Sequence, residues 1–427
     1  MRQTEQITPS TLKAIAASPG VIDLASALGR AESTSAIGAA GSSTALVTGA
    51  VAQLRQRLTL LITAHLDDAD EAVEELLAQG IPASRLPALE ILPGETGVSL
   101  DLFAERLSTV RSMLAGEYSD RAFVLACPIQ SLMQGVPRPE RMEELLLCLA
   151  PGDARGPEFI TRWLSLAGYK RLDSIEEPGD FAVRGGIVDI FPPSSEKDSG
   201  GAVRLDFFGD ELESITEIDL ETMGSDRRLE RIELVGVSLE AAASDERTIP
   251  FLELVPRNAI AIVSETLEVT EQGRGYFERV TDARGIIGPP AVFKALRERL
   301  HAWAEINQFG APGAGVIELP ARILPEFARD ASDAVRELGE LTRDHRVTVF
   351  CQNEGEQQRF TELLAEFAPD AAIDHTVQYL HRGFIWESDK DPPESPPNEL
   401  PLALIPYHEL PHRYQTRRRL RPLRTAK

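Results

Sequence analysis

The sequence predicts an α/β protein: a parallel-sheet domain with a small α+β unit inserted into it, followed by a second, smaller α/β unit. Short apolar runs alternate with amphipathic helical stretches, which is the pattern of parallel strands joined by crossover helices. Between residues 151 and 228 this gives way to short strands with period-two alternation, divided by Gly and Pro. The 427 residues also exceed the ~250–300 at which one hydrophobic core stops growing, so more than one core is required.

Taken in order, residues 1–35 are weakly patterned, with a short helix expected at Pro9–Ala17. The small-residue stretch SAIGAAGSSTALVTG leads into a helix over Ser43–Arg57. LTLLITA (58–64) reads as a buried strand. DDADEAVEELLAQG (67–80) reads as a helix stopped by Gly80, with Asp67, Asp68 and Asp70 favoured at its positive end. ALEILP (88–93) is an expected strand, 100–115 a helix and RAFVLACP (121–128) a strand, which closes a first half at about 150. GPEFITRWLSLAG (156–168) is a helix stopped by Gly168. The strands DFAVRG, GIVDIFPP, AVRLDFFGD and LESITEID follow it, with Val203, Leu205 and Phe207 on one face and Arg204, Asp206 and Phe208 on the other. From 229 to 330 the α/β texture returns in RIELVGVSL, AIAIVSE and GVIELP as strands, with ETLEVTEQGRGYFERV and PPAVFKALRERLHAWAEI as helices. Residues 331–412 make the last unit: helices in DAVRELGELTRDH and EGEQQRFTELLAEFA, strands in RVTVFCQ, AAIDHTVQYL and LPLALIPYHEL. Within it, 387–401 is acidic with five prolines and reads as a solvated loop. Residues 413–427 form a basic linker.

Composition narrows the function. With 43% apolar and 26% charged residues the chain is neither disordered nor a disulfide scaffold. It holds no apolar run of membrane-spanning length, and MRQTEQITPS lacks the apolar region of a signal peptide. Cys127, Cys148 and Cys351 are far apart and read as reduced thiols of a cytoplasmic protein. The net charge of −23 is uneven: the last seventeen residues carry six Arg, one Lys and no acid, leaving −30 on residues 1–410. So acidic a body repels phosphate backbones. The basic tail has two readings, a salt-sensitive nucleic-acid contact or a solvated linker. The absence of an aromatic stacking platform favours the linker.

GAAGSSTA (38–45) has the position and rhythm of a phosphate loop, whose working form is G-x-x-x-x-G-K-[ST]. Gly38 and Gly41 suit that role. Ser43 stands in place of the second Gly, Thr44 in place of the Lys and Ala45 in place of the metal-binding hydroxyl, so the groups that neutralise a triphosphate are missing. A weak nucleotide site and a decayed loop both remain open. No Asp-Glu pair (Asp70, Asp210 or Asp245 onward) continues into a helicase box. No catalytic triad or metal-ligand spacing is present, and His345, His375 and His381 match no metal template.

The most informative stretch is GYKRLDSIEEPGDFAVRGGIVDIFPP followed by VRLDFFGDELESI. Arg184 precedes the Gly185–Gly186 turn, with Arg171 thirteen residues before it. Two arginines near a tight turn can present donors to a partner's carboxylates. Alternatively Arg184 makes a local salt bridge to Glu176, Glu177, Asp180 or Asp189. Phe191 is a candidate apolar anchor.

This stretch resembles the UvrB-type interaction domain. Together with the degenerate GAAGSSTA loop, PIQSLMQGVPRPE (128–140) and GFIWES…LALIPYHELPHRYQTRRRL, it makes the chain similar to the N-terminal region of the transcription-repair coupling factor (Mfd) family. The resemblance implies a degenerate P-loop, helicase-like first domain carrying a UvrA-binding insertion. It also implies a non-catalytic role without a cofactor: recruiting the excision-repair ATPase UvrA to lesions where RNA polymerase is stalled. RNA polymerase and duplex DNA would be engaged by family domains that follow Lys427. The UvrA-contacting arginines of such domains map onto Arg171 and Arg184, with Asp189 and Phe191 as further candidates, while a third arginine position is Ala182 here. The alternative function is a UvrB-like ATP-dependent helicase or nucleotide hydrolase.

Overall fold

The structure is a computed structural model describing residues 10–89, 99–193, 201–219, 224–236, 248–280, 285–387 and 400–410. Most of the expected 88–93 strand, most of the proline-rich loop, Asp245–Glu246 and the basic segment from 411 lie outside the described residues.

A seven-stranded, wholly parallel sheet organises the first unit. Its order is Val316–Glu318, Thr34–Ile37, Ala302–Asn307, Ile260–Ser264, Leu58–Thr63, Phe123–Pro128 and Ala83–Arg85. The interior strands Leu58–Thr63 and Phe123–Pro128 are buried along their whole length, as expected of parallel strands covered on both faces. Helices Pro19–Gly29, Ser43–Arg55 and Leu66–Ala78 contribute to one core layer, and Leu100–Leu114, Thr266–Arg279 and Pro289–Arg299 to the other. Helix Leu66–Ala78 ends as expected, with Gly80 at φ +73° and the Ile81 N–H donating back to the Leu76 carbonyl (2.9 Å).

Two expectations need correction. The helix expected through 306 stops at Arg299, and Ala302–Asn307 is a sheet strand. The region before 35 holds, beyond the expected short helix (Ser10–Ala16), a second helix, Pro19–Gly29, and the start of the strand Thr34–Ile37.

The chain leaves the first unit through Leu146–Leu149 and returns through Ile232–Val235, and these segments pair antiparallel as a neck. Tyr169 fastens the neck to the inserted unit: its buried hydroxyl donates to the Val235 carbonyl at 2.8 Å. The insertion is a six-stranded sheet in the order Ser225–Arg228, Glu211–Ile218, Ala202–Phe208, Ile187–Phe191, Asp180–Arg184, Lys170–Arg171, with helix Pro157–Leu166 against one face. Only the outermost pair, Lys170–Arg171 with Asp180–Arg184, is parallel.

The third unit is a five-stranded mixed sheet, Ala321–Ile323, Phe384–Trp386, Leu402–Pro406, Arg346–Cys351, Ile373–Val377. It begins at Ala321, ahead of the expected boundary at 331. The strand Phe384–Trp386 was not anticipated. Phe350, Leu380, Phe384, Trp386, Leu402 and Leu404 join the same buried cluster as Leu24, Val47 and Ile306, so the first and third units share apolar core. The described cysteines are free thiols, and no helix among the described residues is long and apolar enough to cross a membrane.

Candidate functional site

Strand Thr34–Ile37, the 38–42 turn and helix Ser43–Arg55 have the strand–loop–helix form of a phosphate loop, with Gly38 at φ +86° and Gly41 at φ +52°. The loop's polar groups are nevertheless engaged within the chain. The Ala40 N–H donates to Ser43 Oγ at 2.8 Å, and the Ser42 N–H donates to the Arg382 carbonyl at 3.1 Å. Arg382 N–H donates in turn to Ser42 Oγ (2.9 Å), and the Ser42 hydroxyl donates to Glu75. A Cβ on Gly41 would sit 2.4 Å from the Gly383 carbonyl oxygen. The third unit's His381–Gly383 segment therefore lies directly on the loop.

Beside it is a cleft of about 440 Å³ whose lining includes Thr44, His65, Asp68, Glu71, Glu75, Glu265, Glu268, His381 and Arg382. His65 pairs with Glu268 (3.0 Å) and His381 with Glu71 (2.8 Å). Burial raises the Asp68 and Glu265 carboxyls and pushes Glu75 up to about 7. A polyphosphate here would meet five acidic side chains, and two of the loop amides that would cradle it are taken. The described residues hold no cluster of three or more His, Cys, Asp or Glu able to bind a metal.

The inserted sheet has one closed face and one partly open face. Phe181, Val188, Ile190, Val203, Leu205, Leu212 and Ile215 fill the closed side beneath helix Pro157–Leu166. Register gives the other face the rows Arg184, Ile187, Asp206, Ser214 and Ala182, Asp189, Arg204, Thr216. Arg184 is exposed at the end of its strand. Its Nη2 donates to the Asp173 carbonyl at 2.9 Å, and it forms no ion pair with a carboxylate among the described residues. Two of the expected local acids are otherwise occupied: Asp180 Oδ2 accepts from the N–H groups of Glu176 and Glu177, and Asp189 binds Arg204.

Arg171 is also exposed, at the sheet edge, but pairs with Phe181 and so belongs to the opposite face. Lys170, paired with Asp180, shares the face of Arg184. The two arginines thus do not form the single planar patch that their spacing suggested. Two further candidates are corrected. Asp189 is 2% exposed and grips Arg204 through two bonds of 2.7 and 2.9 Å. Phe191 is buried with Ile175, Ala182, Ala202 and Ile218. Both side chains hold the sheet together instead of facing outward, and Ala182 lies under the same apolar cover.

Residues 147–239 match the family model described as the UvrB interaction domain. The inserted sheet is a UvrB interaction domain. Over a longer stretch the chain is similar to proteins named transcription-repair-coupling factor. It is 28% identical to that of Bacillus subtilis over 200 residues, 46% of this chain and 16% of the relative. Identity is 29% to that of Haemophilus influenzae (42% of this chain, 15% of the relative) and 31% to one from Staphylococcus aureus (44% and 15%). The matched stretch therefore spans about one sixth of these relatives.

The interaction domain also presents a residue that the sequence placed on the outer face without marking it as a contact. Phe208 is 82% exposed at the tip of the hairpin from Ala202–Phe208 to Glu211–Ile218. The signal was legible: in VRLDFFGD the alternation that buries Leu205 and half-buries Phe207 turns the next phenyl outward, onto the face of Arg184.

Proposed function

We propose that this chain is a non-catalytic docking module that recruits the excision-repair ATPase UvrA to lesions where RNA polymerase is stalled. The observation that carries the reading is the exposed Arg184, held at a glycine turn on the open face of a UvrB interaction domain and paired with no carboxylate among the described residues. A guanidinium so placed is available for charge-assisted, multi-donor contact with a partner's acids. Arg171, on the other face of the same edge, is a secondary contact. On this reading, polymerase and duplex DNA are engaged by parts of the relatives outside the matched stretch, and the work is done in the cytoplasm.

The direct test is capture of purified UvrA by the purified chain. Arg184→Ala should weaken binding by about 2–5 kcal/mol if the arginine becomes paired and desolvated on docking. Its melting temperature should stay at the parent value. Undiminished capture by the Arg171→Ala/Arg184→Ala double variant would sink the proposed contact.

The same reading assigns no nucleotide hydrolysis to the chain. It is supported by Thr44 in the lysine position, by the Arg382–Gly383 segment seated on the loop and by the acidic cleft. A titration with labelled ATP should show no saturable sub-millimolar binding. Saturation in that range, abolished by altering the 38–45 loop, would restore the hydrolase alternative.

A further inference from the structure

We propose that Phe208 is the apolar anchor of the docking face, entering a hollow on UvrA whose border supplies the carboxylate for Arg184. The inference rests on the UvrA-docking reading above and extends it from one charged contact to a mixed apolar and charged one.

Its basis is placement. A single exposed phenyl ring on a protein surface is ordinary and requires no explanation. Phe208, however, stands on the same face and at the same end of the sheet as Arg184. The pairing runs from Arg184 to Ile187 and from Ile187 to Asp206; beyond an irregularity between Asp206 and Phe207, Phe207 packs on the closed side and Phe208 is turned out of it. The two hairpin tips also touch, since the Phe207 N–H donates to the Gly186 carbonyl at 2.8 Å. Gly185 (φ +64°) and Gly209 (φ +63°) open the two-residue turns that shape these tips, the position where glycine is favoured in such hairpins. Neither glycine puts a side chain between the phenyl ring and the guanidinium.

The surroundings fit an anchor. Ile187 is half-buried in the same row. Leu172, just past the edge strand, donates its N–H to the Phe181 carbonyl and has an exposed side chain. Asp206, the acid of the row, accepts from the Ser214 hydroxyl at 3.0 Å. The result is a cation bordered by apolar groups in a chain whose net charge is −23. Arginine and large aromatic residues dominate the energetics of protein interfaces when they enter desolvated hollows. An exposed guanidinium on the same face as the ring selects a hollow with an acidic border. Phe191, the anchor expected from sequence, is enclosed; Phe208 is the phenyl this face displays.

The test uses the full chain and purified UvrA, with Phe309→Ala as a control because Phe309 is 79% exposed on the first unit. Phe208→Ala should lower affinity by about tenfold or more, Phe208→Leu should retain most of it, and Phe309→Ala should match the parent. All three should melt with the parent, since these side chains are outside the core. If Arg184→Ala weakens binding while Phe208→Ala stays within about twofold of the parent, the anchor is refuted and the docking reading stands. Equal losses in Phe208→Ala and Phe309→Ala would refute it as well, because the effect would not belong to this face. If the parent itself fails to capture UvrA, the docking reading fails and the anchor with it.

Discussion

Asp189 and Arg184 lie on adjacent strands of one sheet face, and their surroundings give them opposite roles. Asp189 sits one row inside the sheet, where Arg204 closes over it in a two-bond ion pair. Arg184 ends its strand and, among the described residues, its guanidinium reaches a backbone carbonyl. Both look equally displayed in the sequence, because period-two alternation gives the face of a residue and not its depth from the edge. The bond to Asp189 holds the Arg204 guanidinium above its usual range. Removing the acid leaves a cation, itself only partly exposed, without its partner. Asp189→Ala should therefore cost about 1–3 kcal/mol of stability, less than a fully buried pair because Arg204 retains some water. Arg184→Ala should stay within about 0.5 kcal/mol of the parent. Urea unfolding of both variants checks this, and equal stability would mean that Asp189 is not structural. Arg106 shows a different limit of sequence reading. It is buried, bonds no carboxylate among the described residues, donates to the carbonyls of Pro87, Ser131 and Gln134, and is lowered to about 10 by burial. In the sequence it is one more charge on an amphipathic helix.

Elements were legible where one signal dominated. Leu58–Thr63 and Phe123–Pro128 are short apolar runs bounded by polar residues. The helices before Gly80 and Gly168 stop where a left-handed glycine, at φ +73° and +95°, ends them. Elements whose local signals compete were not legible. In LRERLHAWAEI the charged spacing continues a helix, yet Ala302, Ala304 and Ile306 alternate inward on a strand between two parallel neighbours, so tertiary pairing overrides propensity. Phe384–Trp386 is too short to stand out, and it exists because Leu402–Pro406 and Ala321–Ile323 flank it. The loop at 38–45 was legible as a loop whose phosphate-binding residues were replaced. What covers it was not, because Arg382 and Gly383 are remote in the chain and contribute backbone atoms, which leave no mark in a motif.

At the scale of the whole molecule, the seam between the first and third units combines shared apolar core with a titratable centre at Glu75. The Ser42 hydroxyl and the His381 N–H (2.7 Å) donate to its carboxylate, and Glu71 stands near it, paired to the His381 ring. His65, Asp68, Glu265, Glu268 and Arg382 line the adjoining cleft. Glu409 accepts from the Gly383 N–H at 3.0 Å and is also raised by burial. Burial is the largest influence on Glu75 and sets it at about 7 against an ordinary 4.5. Because the folded value exceeds the unfolded one, the unfolded chain releases this proton first as pH rises. The stabilising contribution is whole below about 4.5, declines through the interval and is gone above about 7. Acids held low in the fold, such as Asp153 beside Arg155 and Asp330 capping its helix, contribute with the opposite sign at lower pH. The total curve therefore mixes both effects, and only a difference isolates Glu75. Glu75→Gln keeps an acceptor for Ser42 and His381 and cannot ionise. It should match the parent near pH 5 and exceed it near pH 8 by on the order of 2 kcal/mol. Hydrogen exchange at Arg382 and Gly383, corrected for intrinsic rate, should show the parent's seam opening more readily over the same interval. A parent-minus-variant difference that stays flat from pH 5 to 8 would show that the seam is held by its apolar contacts alone and that Glu75 carries its charge there without cost.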